Sequence, residues 1–161
     1  MNKKDNATPP ASDAERALGS ALNILAYAEC TEKGLRQKLE KKGYAQESID
    51  FAVDYMQKHR YLNEKRYLFR LVEYLGNTRL YGRRRIAMTL KEKGFAPETI
   101  SDHLDAALQQ IDERNNCRLA LPRVKKDSPK KTIDALLRRG FLYGDIKAVM
   151  SEIEDDCDTE F

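Results

Sequence analysis

Three copies of one short motif constrain the fold of this chain more than any other feature of its sequence. Each copy joins a basic residue, a glycine and an aromatic residue, and the glycines lie 51 and 46 residues apart. A leucine precedes each glycine by four positions, and apolar residues follow it at six and ten positions. The three copies are Lys42-Gly43-Tyr44, Lys93-Gly94-Phe95 and Arg139-Gly140-Phe141. Their spacing is too long for one helical hairpin and suits a repeated three-helix unit.

The motif predicts that each glycine ends a helix. The residue just beyond a helix end often adopts a left-handed conformation, which glycine accepts without steric strain. The aromatic residue after it can then fold back onto the helix that has just ended. In the next helix, apolar residues at i, i+4 and i+7 form one buried stripe. The three stripes are Ile49, Val53 and Met56; Ile100, Leu104 and Ala107; and Ile146, Met150 and Ile153.

The composition favours several small helical cores in a row. Charged residues make up 34% of the 161 residues, and long strand patterns are absent from the sequence. We therefore predict an all-α fold of three tandem three-helix repeat units. The predicted boundaries are a disordered leader at 1–11, three units at 12–62, 63–112 and 113–155, and an acidic tail at 156–161.

Capping residues and prolines predict where the helices begin and end. Ser12 and Glu15 form a capping box for a helix that runs to about Glu29, and Thr31 caps the second helix. The other helices of the first two units are predicted at Gln46 to Lys58, from Asn63 to about Gly76-Asn77, from Arg83 to Lys93, and from Pro97 to about Glu113. In the third unit a polar helix from about Glu113 is predicted to end at Pro122. A charged loop from Arg123 to Lys131 then precedes helices near Thr132 to Arg139 and Tyr143 to Glu154.

The charge distribution indicates an acidic or polyanionic partner. The net charge is +3, but residues 151–161 hold six acidic residues and no Lys or Arg, so residues 1–150 carry 29 basic against 20 acidic groups, or +9. A cationic body attracts polyanions such as nucleic acid. The tail either shields that body from non-specific nucleic acid or only solvates the terminus.

No motif of the sequence indicates catalysis, and we predict that the chain is not an enzyme. Cys30, Cys117 and Cys157 are odd in number and far apart, which favours reduced thiols. His59 and His103 are isolated, so neither a metal nor another cofactor is predicted. The sequence lacks an apolar run of roughly 18 residues and an apolar signal sequence, which favours a cytoplasmic protein.

The most informative constellation is a group of arginines around Tyr81-Gly82. Arg83, Arg84 and Arg85 occupy a predicted first helical turn, where their charges oppose the helix dipole at a cost of about a few tenths of a kcal/mol each. Either an anion lies opposite them or nearby carboxylates pair with them. On the preceding helix, Tyr67 and Tyr74 could stack on bases, although such spacing more often lines a core or its rim.

In order and spacing, these motifs resemble the RecX family of RecA regulators. The resemblance is convincing over about residues 20–110 and continues only through Arg138-Arg139-Gly140-Phe141. It rests on Ala21-Leu22-Asn23-Ile24-Leu25, Leu35 to Tyr44, Tyr61-Leu62-Asn63-Glu64, Tyr81-Gly82-Arg83-Arg84-Arg85-Ile86, Leu90-Lys91-Glu92-Lys93-Gly94-Phe95 and Glu98-Thr99-Ile100. The polar helix and Pro122 depart from the pattern, which puts the fold of the third unit in question.

The resemblance implies an elongated, curved protein that binds the groove of the RecA–DNA filament. Such proteins modulate, and usually inhibit, ATP hydrolysis, strand exchange and coprotease activity of RecA in DNA repair, recombination and the SOS response. DNA binding would then be sequence-independent, to single or double strands, and we predict a monomer. The candidate contact residues are Arg66, Arg70, Arg79, Tyr81, Arg83, Arg84, Arg85, Lys125, Lys126, Lys130, Lys131, Arg138 and Arg139.

Two other functions fit parts of the sequence. Short basic helices could act as helix-turn-helix units that read DNA, but their outward positions are mostly Lys, Glu and Arg and offer few groups suited to base edges. A footprint at a defined site would favour that function. A helical-repeat adaptor could instead use the acidic tail for a basic partner, and binding that survives loss of the basic zones would favour it.

Overall fold

The protein is all-helical over the residues that its computed structural model describes, 12–157. This part of the chain holds nine α-helices and one short π-helix, and no β-strand. The α-helices are α1 (Asp13–Tyr27), α2 (Glu32–Lys41), α3 (Gln46–Lys58), α4 (Glu64–Glu73), α5 (Arg83–Glu92), α6 (Pro97–Leu108), α7 (Glu113–Val124), α8 (Pro129–Arg138) and α9 (Tyr143–Cys157). The π-helix, Tyr74–Thr78, follows α4 directly.

The chain divides after Asn63 into two compact units. In the first unit, α1, α2 and α3 enclose a core of leucine, isoleucine, valine and methionine side chains. Ser12 accepts a hydrogen bond from the Glu15 N–H while the Glu15 carboxylate accepts one from the Ser12 N–H, so the predicted capping box is confirmed. Thr31 caps α2 through the Gly34 N–H, also as predicted.

The three motif glycines end helices as the sequence predicts. Gly43, Gly94 and Gly140 have φ angles of +87°, +93° and +93°, in the left-handed region where a β-carbon would be strained. The aromatic residue after each glycine turns back, and its N–H donates to the carbonyl of the leucine that precedes the glycine by four positions. Phe95 and Phe141 are buried in this way. The less buried Tyr44 forms a 2.7 Å hydrogen bond with the Ser20 hydroxyl.

The second compact unit contains two helix sets, each with its own core. One core lies among α4, α5 and α6, and the other among α7, α8 and α9. Leu80 precedes α5 in the chain but is buried in the core of α7, α8 and α9. Its φ angle of +53° is unusual for a leucine and lets the chain turn there. This side chain therefore ties the two sets together.

Backbone hydrogen bonds join the same two helix sets. The N–H of Gly82, the residue that precedes α5, donates to the carbonyl of Arg139 at 2.9 Å. The N–H of Arg84 donates to the carbonyl of Gly140 at 3.2 Å. The first N–H groups of a helix and the last carbonyl groups of another lack partners within their own helices, so each set satisfies the other.

The π-helix adds a wide turn between α4 and the arginine-rich segment. A β-carbon on Gly76 would lie 2.6 Å from the Ile111 Cδ1 atom, so glycine lets this turn pack against Ile111 without displacing that side chain. The Asn77 side-chain oxygen accepts a hydrogen bond of 3.1 Å from the side-chain amide of the buried Asn116. These contacts hold the π-helix against the segment that leads into α7 and against α7 itself. The predicted helix end near Gly76-Asn77 thus falls within a helix of another type.

The prediction that Pro122 ends the polar helix is wrong. α7 continues to Val124 because Pro122 lies in its last turn, where the missing N–H removes only one helical bond. The Lys125 N–H still donates to the Leu121 carbonyl at 2.9 Å. The loop predicted from Arg123 to Lys131 is also shorter, since Ser128 caps α8 and Pro129 is its first residue, where a missing N–H is harmless.

Several other boundaries differ from the sequence prediction. α1 ends at Tyr27 instead of about Glu29. α6 ends at Leu108 instead of about Glu113, because Asp112 caps α7 by accepting a hydrogen bond from the Asn115 N–H. Ile153, predicted in the third apolar stripe, is 39% exposed, and Val149 is buried in the core instead. The predicted leader (1–11) and positions 158–161 of the predicted tail lie outside the described residues.

None of the helices within 12–157 has the length and apolar character needed to cross a membrane.

Candidate anion-binding surface

Tyr81 gathers three arginine side chains within the second compact unit. The guanidinium carbons of Arg79, Arg85 and Arg139 each lie 5.6 Å from the centre of the Tyr81 ring. Cations at this distance are attracted to the electron-rich face of an aromatic ring. These four residues, which we call the arginine cluster, were all predicted as contact residues from the sequence.

The two helix sets supply the arginine cluster together. Arg79 follows the π-helix, Arg85 lies in the first turn of α5, and Arg139 is the residue after α8. The Arg139 side chain is held in one orientation by two hydrogen bonds. Its guanidinium donates to the backbone carbonyls of Leu80 at 3.1 Å and Arg79 at 2.7 Å. The cluster therefore depends on the junction of the two sets, and part of it is rigid before any ligand arrives.

Positive charge dominates the electrostatics of the arginine cluster. In the described part of the chain, none of its three arginines forms an ion pair with an Asp or Glu. The hydrogen bond that Arg79 donates to the Tyr81 hydroxyl, at 3.2 Å, lowers the pKa of Tyr81 below its usual value, and the nearby charges of Arg85 and Arg139 act in the same direction. Such a surface favours anionic ligands, and guanidinium groups suit phosphate and carboxylate.

Arg83 takes a different role from its neighbours. Its guanidinium donates to the Glu113 carboxylate at 2.7 and 3.0 Å, and its backbone N–H donates to the same carboxylate at 3.3 Å. The carboxylate supplies negative charge at the N-terminus of α5, where the helix dipole favours it. Of the two explanations for arginines in this turn, pairing with a nearby carboxylate holds for Arg83. Arg84 and Arg85 form no ion pair among the described residues, and Arg85 lies over the Tyr81 ring.

The other predicted contact residues lie outside the arginine cluster. Their side chains are exposed, and none of them is among the contacts of Tyr81 in the described chain. Arg66 and Arg70 lie on α4, Arg84 on α5, Lys125 and Lys126 after α7, and Lys130, Lys131 and Arg138 on α8. Lys131 pairs with Asp127 at 3.0 Å.

The two tyrosines considered for base stacking have separate surroundings. Tyr67 packs on Phe95 with ring centres 5.2 Å apart, as a residue at the rim of a core does. Tyr74 is 48% exposed and its hydroxyl contributes to a raised pKa of Arg79, after the larger contribution of Tyr81. Sequence reasoning missed Glu113 as the partner of Arg83, because the 30 residues between them hide a contact that only the fold creates.

Comparison with known proteins identifies the family. A model described as the first three-helix domain of RecX matches residues 17–56, and one described as its second three-helix domain matches residues 63–104. Together these two matches cover half of the chain. The chain belongs to the RecX family. This finding confirms the resemblance inferred from the helix-end motifs.

Individual RecX proteins extend the match. A regulatory protein RecX of Thermotoga sp. is 30% identical over 154 residues, which cover 94% of this chain and 93% of that protein. A regulatory protein RecX of Clostridium botulinum is 31% identical over 135 residues, or 76% of this chain, but the match spans only 61% of that longer relative. The crystal structure of RecX from Lactobacillus salivarius has a TM-score of 0.77 at 23% identity, over 88% of this chain and 97% of that one. That structural likeness confirms the repeated all-helical fold.

The described residues contain no group of three or more His, Cys, Asp or Glu side chains that could hold a metal ion. Cys117 is buried in the core of α7, α8 and α9, and this burial raises the pKa of its thiol to about 11. A thiol with so high a pKa is a poor nucleophile at neutral pH.

Proposed function

We propose that this chain is a non-enzymatic regulator that binds the RecA–DNA filament and lowers its ATP hydrolysis, strand exchange and coprotease activity. Membership in the RecX family supports a regulatory role. The partner surface is the phosphate backbone of DNA or an acidic face of RecA, and the contact is independent of base sequence. The protein acts as a cytoplasmic monomer.

The arginine cluster is the observation that carries this proposal. Arg79, Arg85 and Arg139 form no ion pairs within the described chain, and Arg139 is oriented by backbone carbonyls. Guanidinium groups that are already ordered lose less conformational entropy when they bind an anion. The ligand supplies the negative charge that the protein does not.

The test is ATP hydrolysis by RecA on single-stranded DNA while the full chain is added in substoichiometric amounts. We expect the rate to fall at far less than one copy per RecA. A control with the same chain on DNA alone, at several salt concentrations, measures simple coating of the DNA. If the rate stays constant while salt-sensitive DNA binding remains, the chain is a basic DNA-binding protein and the filament role is wrong.

A double variant tests the arginine cluster within the same assay. Arg79→Ala with Arg85→Ala removes two guanidinium groups that make no hydrogen bond to the fold's backbone, so the helical circular dichroism spectrum should persist. We expect about a tenfold or larger rise in the concentration needed for inhibition, since hydrogen bonds to charged groups are each worth about 1.5–3 kcal/mol. The matched control is Arg16→Ala with Lys58→Ala, which removes two exposed charges of the first unit. Equal inhibition by both double variants would show that the contact surface lies outside the arginine cluster.

A further inference from the structure

A second surface lies in the part of the chain whose fold the sequence left in question. A groove of about 500 Å³ opens among α7, the loop 125–128, the start of α8 and α9. Its volume falls within the range of protein sites that hold a ligand or a peptide side chain, about 300–1,000 Å³. None of the residues of the arginine cluster lines it.

The floor of the groove is apolar. Its apolar lining consists of Leu121 and Pro122 of α7 and Met150 and Ile153 of α9. Ile153 is 39% exposed although it continues the apolar stripe of α9, so the helix presents an apolar side chain beyond the core that Val149 completes. Covering these side chains with another apolar group would be favourable.

Internal hydrogen bonds form the rim of the groove before any partner binds. The Thr132 hydroxyl accepts a hydrogen bond from the Lys126 N–H at 3.0 Å and donates to the Ser128 carbonyl at 3.1 Å. On the other side, the Arg118 guanidinium donates to the Glu152 carboxylate at 2.5 Å. A groove with a fixed rim needs little ordering on binding, which favours affinity.

The rim charges favour an acidic partner. Lys125 and Lys126 line the groove and form no ion pair in the described chain. The carboxylate of Asp127 is bound by Lys131 at 3.0 Å, which leaves Glu154 as the one lining carboxylate without a basic partner among the described residues. Two unpaired lysines beside an apolar floor match an apolar side chain flanked by carboxylates.

We propose that this groove binds an acidic peptide segment of a partner protein through one or two bulky apolar side chains. The apolar side chains would lie over Met150 and Ile153, and the flanking carboxylates would contact Lys125 and Lys126. A nucleic acid fits less well, because its phosphates would gain two lysines while the apolar floor stayed uncovered. The proposal does not rest on filament binding and can hold without it.

The test uses the full chain, labelled with ¹⁵N, and a capped hexapeptide of sequence Glu-Asp-Leu-Phe-Asp-Glu. We expect saturable shifts in the amide signals of the loop 125–128 and of α9 around Ile153. A second peptide with Ser-Ser in place of Leu-Phe should bind at least tenfold more weakly. A dodecamer of thymidylate is the nucleic-acid arm and should leave these amide signals in place.

Three variants assign the binding to the groove. Ile153→Asp, at an exposed position, should weaken peptide binding about tenfold, because it places a carboxylate on the apolar floor. Lys125→Glu should weaken it about fivefold at low salt, as reversal of an exposed rim charge does. Lys130→Glu is the matched control, since Lys130 is exposed and does not line the groove, and it should change binding less than twofold.

The proposal would be overturned by any of three results. These are an absence of shifts in the groove, equal binding of the Ser-Ser peptide, and tighter binding of the oligonucleotide at the same amide signals. The last result would make the groove a nucleic-acid surface. Circular dichroism of each variant distinguishes loss of binding from loss of the fold. Lys125→Glu lies at an exposed loop position, so its peptide affinity can be measured even if Ile153→Asp unfolds.

Discussion

The backbones of Gly82 and Gly140 lie so close that a β-carbon on Gly82 would stand 2.3 Å from the carbonyl carbon of Gly140. A β-carbon on Gly140 would in turn stand 2.3 Å from the backbone nitrogen of Arg85. No real side chain tolerates such distances from backbone atoms. The junction that assembles the arginine cluster therefore requires glycine on both sides.

Alanine at Gly82 should destabilise the protein by about 3 kcal/mol, because the backbone it meets cannot move aside without breaking the hydrogen bond to Arg139. Gly43→Ala meets no atom within 4 Å and suffers only from its φ angle of +87°, so its cost should be about 1 kcal/mol. Gly19→Ala, in open space within α1, should stabilise by about 0.5–1 kcal/mol. Urea denaturation of the three variants measures this order, and equal effects at Gly82 and Gly43 would contradict it.

Replacement of Arg139 by lysine should separate its charge from its geometry. Lysine keeps the positive charge but cannot donate to the carbonyls of Leu80 and Arg79 in a fork, so stability should fall by about 1 kcal/mol. Affinity for single-stranded DNA should fall while the slope of log affinity against log salt concentration stays the same. Filter binding at four salt concentrations checks both, and a variant that matches the wild type would show that Arg139 supplies charge alone.

The pair of Arg83 and Glu113 should act on stability instead of ligand binding. We expect a coupling free energy of about 1 kcal/mol in a double-mutant cycle of Arg83→Ala and Glu113→Gln, because Glu113 is largely buried while Arg83 is 43% exposed and partly screened. Inhibition of RecA should change far less with Arg83→Ala than with Arg85→Ala. A larger loss of inhibition from Arg83→Ala would show that Arg83 is part of the contact surface.

Cys117 should make stability fall as the pH rises through the alkaline range. Burial raises the pKa of its thiol from 9.0 to about 11, so the folded protein holds a proton there that the unfolded chain has released. The stabilisation is full below pH 9 and is lost towards pH 11, by about 3 kcal/mol in total. Urea denaturation at pH 8, 9 and 10 measures it. The Cys117→Ala variant is the control. It lacks the thiol and should therefore lose less stability over this range, while the other titrating groups contribute equally to both proteins.

Local chemistry made much of the fold predictable. Ser12, Thr31 and the motif glycines act within three or four residues of themselves, so the sequence pattern alone indicates the helix ends. Pro122 was misjudged because a proline in a last turn costs one hydrogen bond, which the packing of Cys117 and Leu121 in the core outweighs. The mostly polar sequence of α7 did not indicate this buried face.

The arginine cluster was predictable as a composition but not as a geometry. Basic residues around Tyr81 are visible in the sequence, and so is the helix end at Arg139. Their meeting depends on Leu80, which crosses into the other core with a left-handed backbone that sequence patterns rarely indicate for leucine. The split between Arg83 and Arg85 depends on Glu113, whose distance along the chain carries no local signal.

The π-helix at Tyr74–Thr78 makes the number of residues in this segment as important as their identity. A π-turn contains about one residue more than an α-turn, so it amounts to a single-residue insertion in a helix. Loss of one residue there would replace the wide turn by ordinary α winding and shift the point at which the chain leaves the helix. Arg79 and Tyr81 would then leave the helix in another direction. Length changes should thus be more harmful in this segment than most substitutions, a constraint on insertions and deletions that no single side chain reveals.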